Sequence, residues 1–537
     1  MDDVTKTTTY LSRSSSNIVS ERSERSLRVE IAPELLRGVS LHECLSGWAK
    51  HWASSREDRN GYKLSRQTTH LDNFLSHDWA TSRWLKLAAL LVIFNSRAAA
   101  VSTLVASVLA GLMRAWGILP DEAWTVVIGY GTFFVFFCFW QRIRAAWKPR
   151  TVFLDKLCIA QHDAALKEQG IMGLAAFLDR SEKLTVLWSP RYFQRLWCMF
   201  EISTFLRKTA RTQIEMMPVK LALLLCVNTA KWFIMAIGYH IITDASDHEK
   251  SSWTRTLVVA GPCVLLAGSM LPWTYYVGIG MMEDLSLMPA QLASFRIQDT
   301  RSACCSQEHL HPESGGTIPC DRELVFATLH SWLGRSGDSG DRYLDDFNGL
   351  VRERLAPSVL KTVGGDNLPV GYTLYMAASC HVPFISSYIA ELAKGPPNNY
   401  SGGDAVVWAV RIFVDWAFVA MLAVTTTRLN FFLCEYGYRM GCRSRLCLAF
   451  ALSQSVVLLV TGFWVGKMIL SNRVERSSLL PVLPFLILLG LTIAVFRKGS
   501  KNATKGKRSD GDGREAQPVE DARPGIEAED TESTFGI

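Results

Sequence analysis

Residues Thr151–Arg207 read TVFLDKLCIAQHDAALKEQGIMGLAAFLDRSEKLTVLWSPRYFQRLWCMFEISTFLR. A short apolar run, Thr151 to Leu154, ends in Asp155 and a polar loop. A helical pattern follows from about Ala164 to Arg180, then a second apolar run from Leu184 to Trp188. Ser189-Pro190 turns the chain into a further helix carrying Trp197, Cys198 and Glu201. Strands alternating with helices at this spacing predict a parallel sheet. Reactive groups in such sheets gather at the carboxyl ends of the strands. Asp155, Ser189 and the start of the last helix are therefore expected on one rim.

Working outward, His70 to His77 reads as a first strand and Thr212 to Met217 as a fourth. The stretches FLSHDW (Phe74–Trp79), VFLD, VLWSPRY and RLWCMFE together resemble the Toll/interleukin-1 receptor (TIR) domain. LDKLCIAQHD is similar to the D-x-x-C-I-N-Q-x-D of the fungal heterokaryon-incompatibility domain, with Ala160 where that family usually has Asn. The resemblance covers about a quarter of the chain. It implies NAD+ as a substrate, with Glu201 as the catalytic residue that faces the oxocarbenium-like charge while nicotinamide leaves. It also implies that Asp155 and its loop shape the nucleotide pocket, with Trp197, Ser76, His77 and Ser189 as further substrate-binding candidates. TIR-like sites are often completed by a neighbouring copy, so a homo-oligomer is expected. The alternative for Glu201 is a solvated or paired helix residue in a non-catalytic adaptor.

The flanking sequence is apolar. Of 537 residues 49% are hydrophobic, with 17 Trp and 26 Phe, and the mean hydropathy is +0.12. Several apolar stretches approach the length that crosses a bilayer. The fold expected is a membrane all-α bundle of about eight transmembrane helices. A cytosolic α/β TIR-like domain with a short parallel sheet joins it, interrupted by a transmembrane hairpin. Residues 1–27 and 497–537 read as disordered tails, and 28–69 as a helical lead-in. Residues 70–97 supply the first strand and helix, 98–140 a transmembrane hairpin, and 141–218 the main part of the domain. A second hairpin over 219–280 precedes a cytosolic helical region, 281–368, which is expected to dock on the α/β unit. Residues 369–496 give spans five to eight. Trp79 to Asn95 fits either the first helix of the α/β unit or the start of a span. Arg97 is costly inside a bilayer and cheap at its edge, so the span is expected to begin near Ala98.

Lys and Arg total 57 against 50 Asp and Glu, a formal net charge of +7 distributed by loop. That distribution argues against nucleic acid as a partner and places both termini in the cytosol by the positive-inside rule. The thirteen Cys are scattered without a C-x-x-C, which suits a reducing setting. Cys304, Cys305, His309, His311 and Cys320 carry zinc-ligand chemistry, but their spacing matches no standard finger, and no metal is expected. Asn399 opens a glycosylation sequon on the face opposite the termini. Arg411 and Asp415, four apart in one span, are expected to pair.

Overall fold

The computed structural model of the chain describes residues 30–53, 60–119, 122–207, 213–245, 252–310, 315–334, 340–363, 370–396, 400, 402–441, 444–475 and 478–494. Both expected tails, Asn399 and His311 lie outside them.

Strand β1 (Arg37–Ser40) leads into helix α1 (Leu41–Ala49), and a two-residue strand β2 (Arg66–Gln67) follows. The central strand β3 (Leu71–His77) runs into α2 (Arg83–Ala115), which α3 (Glu122–Ala145) packs against as a hairpin. Then come β4 (Thr151–Phe153), α4 (Ala164–Met172), α5 (Leu174–Arg180) and β5 (Ser181–Trp188). Helix α6 (Leu196–Arg207) and β6 (Gln213–Pro218) complete the α/β unit. The strand order is β2-β1-β4-β3-β5-β6. β4, β3, β5 and β6 are parallel, while β1 is antiparallel to both its neighbours. The sheet is thus small and mixed rather than purely parallel. The region read as a helical lead-in supplies that antiparallel edge, because Val39 gains burial and backbone partners along β4 that no local pattern encodes.

Six of the seven β3 residues are buried, as a strand covered on both faces should be. Phe74 and Phe153 stack across neighbouring strands with ring centroids 4.5 Å apart. Asn73 is fully buried yet satisfied, donating to Thr185 Oγ1 at 2.9 Å and accepting from Arg150 at 2.8 Å.

Four helices among the described residues are long and apolar enough to cross a membrane: Arg83–Ala115, Ala260–Ala293, Gly402–Arg439 and Arg445–Ser471. The outer half of the first has a surface inverted relative to that of a water-soluble helix. On α2 the residues Val101, Leu104, Val105 and Leu109 are exposed, whereas Ala99, Thr103, Ser107 and Gly111 are buried. Apolar surface outward with small and hydroxyl residues inward is the pattern that lipid selects. Within the hairpin, Asn95 donates to the Phe137 carbonyl at 2.7 Å and accepts from Gln141 at 2.9 Å.

The span expected to begin near Ala98 starts within a continuous helix rather than at a break in the backbone. α2 is one helix whose first half packs in the α/β core and whose second half carries the lipid-type surface, with Arg97 exposed between them. α7 (Val219–Ala245) and α8 (Ser252–Ala293) follow β6. α8 continues well beyond residue 280, carrying the chain back to the sheet, where Gln291 donates to the Pro190 carbonyl at 2.9 Å. Helices α9 (Asp321–Leu333) and α10 (Arg342–Leu350) lie in the region beyond it. There Trp332 stacks on Phe200 of α6 at 5.5 Å, and residues 194–196 exchange backbone hydrogen bonds with Arg301.

The apolar run 369–391 is broken rather than continuous. α11 (Val370–Ala378) and α12 (Ile385–Lys394) are separated by Ser379–Phe384, where Pro383 removes a backbone donor. α13 (Gly402–Arg439) and α14 (Arg445–Arg473) follow, and a shorter apolar helix spans Leu480–Ala494. Asp415 pairs with Lys467 of α14 at 2.7 Å rather than with Arg411. Arg411 instead donates to the Ser471 carbonyl at 3.1 Å. The neighbouring helix presents a closer cation than the next turn of the same one.

Helix α12 seats closely on α2. A Cβ at Gly111 would lie 2.9 Å from Ser386 Cα and 3.0 Å from its carbonyl oxygen, both backbone atoms that cannot yield. Gly111→Val is expected to destabilise the bundle by about 1–3 kcal/mol through overpacking. Gly131→Ala, with no heavy atom within 4 Å of the added carbon, should be close to neutral. Melting curves of the two detergent-solubilised variants compare them directly; equal melting temperatures would contradict the seating described.

Candidate functional site

The carboxyl ends of β3, β4 and β5 form one rim. Ser76 and His77 close β3, Asp155 opens the helical turn after β4, and Ser189 follows β5. Helix α6 begins beside them, with Cys198 Sγ 3.4 Å from the His77 carbonyl. Glu201, one turn further, reaches back to the central strand and accepts a short hydrogen bond from Ser76. The Ser76 hydroxyl also lies 2.6 Å from the Tyr192 hydroxyl, so strand, turn and helix meet at one oxygen. Asp155 accepts from Trp79 Nε1 at 2.8 Å and from the Lys156 N–H at 2.7 Å.

These carboxyls sit where charge is costly. Burial pushes Glu201 up to about 8, and the Asp155 charge adds to the rise, while the Ser76 hydrogen bond and Arg195 oppose it. Burial likewise raises Asp155 above the usual carboxylate range, against its hydrogen bonds from Trp79 and Lys156. Asp78 is different: though buried, it meets Arg191 Nε at 3.3 Å and Arg195 Nη1 at 3.7 Å. It ties the loop after β3 to the loop after β5.

His77 lies edge-on between Trp52 and Trp79, with centroids 4.7 and 4.6 Å away. Burial, with the nearby Lys86 charge, depresses its basicity far below that of a free imidazole, so it is a neutral aromatic wall. Among the described residues His77 Nε2, Trp188 Nε1 and Ser189 Oγ are buried at this rim without a hydrogen-bond partner. Polar atoms left so are uncommon, and three of them gather at this rim. A carboxyl titrating near neutrality, a second carboxyl, a hydroxyl and aromatic walls can together exchange protons and face a developing positive charge.

Ser76, His77, Asp155, Ser189 and Glu201 therefore share one rim, as their spacing predicts. Trp197 does not join them. Its indole N–H donates to Asp321 Oδ2 at 3.1 Å, so it anchors the first residue of α9. Tyr192, Trp52, Arg191 and Arg195 are members that the sequence reading leaves out, whereas Asp78 follows Ser76 and His77 onto the rim as expected. Tyr192 sits in the quoted SPRY turn, but Trp52 comes from a distant segment and carries no local signal.

Two other places gather polar groups. Cys304, Cys305, His309 and Cys320 bring their ligand atoms within 4.8 Å of one another. A cavity of about 260 Å³ inside the helix bundle is lined mostly by apolar side chains, with Lys231, His381, Thr426 and Asn430 also in the lining. Lys231 donates to Asn228 at 2.8 Å, and among the described residues both ring nitrogens of His381 are buried without a partner. No protein-family model, no curated protein and no solved structure matches this chain.

Proposed function

We propose that this chain is a multi-pass membrane protein whose cytosolic, TIR-like α/β unit signals by self-association and cleaves NAD+ through Glu201. The observation carrying this reading is the Glu201 carboxyl, held by Ser76 at the end of the central strand with Asp155 on the same rim. In this reading eight spans anchor the unit in the bilayer, both termini face the cytosol, and the spans bring copies together as a homo-oligomer. α3, α7, the broken α11–α12 segment and the helix over 480–494 would supply the four spans beyond those already described.

The chemistry follows from charge. The C1′–N bond of NAD+ breaks with its electron pair leaving on nicotinamide, which neutralises the pyridinium. The ribose C1′ becomes oxocarbenium-like, and an ionised Glu201 facing it stabilises the charge in a site of low dielectric. Water then adds to C1′ and releases a proton, giving ADP-ribose. Glu201 must first lose its own proton, because burial holds it at about 8. Hydrolysis by kcat/KM should therefore be low at pH 6 and rise through about pH 8. An acidic limb near the ordinary carboxylate range would oppose the assignment.

The deciding assay is NAD+ turnover in membranes bearing the full chain beside Glu201→Gln at matched abundance, with an artificially clustered sample of each. A loss of about 100-fold or more in the variant is expected for removal of a group that stabilises transition-state charge. Equal background turnover in both, clustered or not, would reject catalysis and leave a membrane scaffold.

The bundle cavity favours a second reading, in which the chain moves a small solute and the α/β unit regulates it. Broken helices that present polar groups at the bilayer midplane are a transporter device. Solute flux in proteoliposomes that disappears in His381→Phe would support it; indifference of any flux to that change would remove it.

A further inference from the structure

The cysteine–histidine cluster beside α6 has the dimensions of an ion. Cys304 and Cys305 lie in the helical turn Ala303–Ser306, after which the chain doubles back. Glu308 and His309 take left-handed conformations, φ 51° and 59°, although neither is glycine. Consecutive non-glycine residues are held there only where the surroundings require it. The reversal is pinned by the Ile318 N–H on the His309 carbonyl at 2.8 Å and by a bridge between Leu310 and Thr317. Its outcome is that His309 and Cys320 return to the same point.

Cys305 Sγ lies 3.8 Å from Cys304 Sγ, 3.8 Å from Cys320 Sγ and 3.7 Å from His309 Nε2. A tetrahedral zinc ion with Zn–S of about 2.3 Å and Zn–N of about 2.05 Å separates its ligands by about 3.8 Å and about 3.6 Å. Disulfide-bonded sulfurs would be about 2.05 Å apart. The sulfurs are therefore spaced as ligands around a common centre.

We propose that Cys304, Cys305, His309 and Cys320 bind one structural Zn²⁺. Three thiolates and an imidazole close all four positions, leaving none for water, which is the donor set of a structural site rather than a catalytic one. The surroundings support thiolate ligation, since the Asp321 N–H donates to Cys304 Sγ at 3.2 Å. The Asp321 carboxylate accepts from Ser302 Oγ at 3.0 Å and from Trp197 Nε1 on α6 at 3.1 Å. The ion thus clamps the 301–333 segment onto the helix that carries Glu201, and this role does not depend on NAD+ cleavage.

The test is zinc content of the full-length chain, purified in detergent from zinc-supplemented cells and dialysed without chelator. One zinc per chain is expected in the wild type and in the control Cys447→Ser, which alters an exposed free cysteine elsewhere. In Cys304→Ser and Cys320→Ser, affinity should fall by more than the roughly 10–100-fold that loss of an outer partner costs. Exchange of Co²⁺ into the wild type gives a measurement free of variant misfolding. Tetrahedral d–d bands with thiolate charge transfer are expected. Wild-type protein without zinc and without that cobalt spectrum would overturn the proposal, as would a Cys305–Cys320 disulfide found by peptide mapping of the unreduced protein.

Discussion

Glu201→Gln is expected to raise the melting temperature of the detergent-solubilised protein at pH 9 and to leave it nearly unchanged at pH 4. In the folded chain Glu201 titrates at about 8, against an ordinary value of 4.5. A carboxyl raised by folding prefers its neutral form there. Its contribution is fully present below about 4.5 and is lost as pH climbs through about 8. Ionising it inside the fold costs a few kcal/mol at alkaline pH, at about 1.36 kcal/mol per pKa unit. Glutamine keeps a neutral group able to hydrogen-bond Ser76 without that cost. A variant melting below the wild type at every pH would mean that the carboxylate stabilises the fold. The same substitution is expected to abolish NAD+ turnover, so the site would hold a destabilising group for its chemistry.

The second large effect lies in the sheet. Phe153 is 1% exposed and has the rings of Phe74 and Phe177 each 4.5 Å from its own. Phe153→Ala removes the middle of three packed rings and should cost about 3–5 kcal/mol. That is a large part of the margin on which a domain remains folded. Phe153→Leu, closer in volume, should cost much less. Limited proteolysis of β3–β6 in membranes, with the two variants side by side, reads the difference. An alanine variant as resistant as the wild type would show that the three-ring stack is not the core of the sheet.

What could be read from the sequence was what is local. β4 and β5 emerge where short apolar runs with Thr and Val meet turn residues, and α4 begins where Asp163 caps it by accepting from the Leu166 N–H at 3.0 Å. The rim of Ser76, His77, Asp155, Ser189 and Glu201 follows once those strands are parallel. The errors share one cause, a partner far along the chain. β1 is extended because β4 lies beside it, and Asp415 finds Lys467 because α14 does. Trp197 turns toward Asp321 although helical spacing places it with Glu201. The four zinc-type ligands converge through two left-handed residues that no cysteine spacing announces.

The undivided α2 has a mechanical consequence. Thirty-three residues at about 1.5 Å each make a rod of about 50 Å. One end is joined through the loop 78–82 to the strand that bears Ser76, and the other carries the lipid-type surface. A stiff rod cannot tilt at one end alone. A lean of its outer half would be carried undivided along the rod to that loop, which Asp78 ties to Arg191 and Arg195 beside the strand ends.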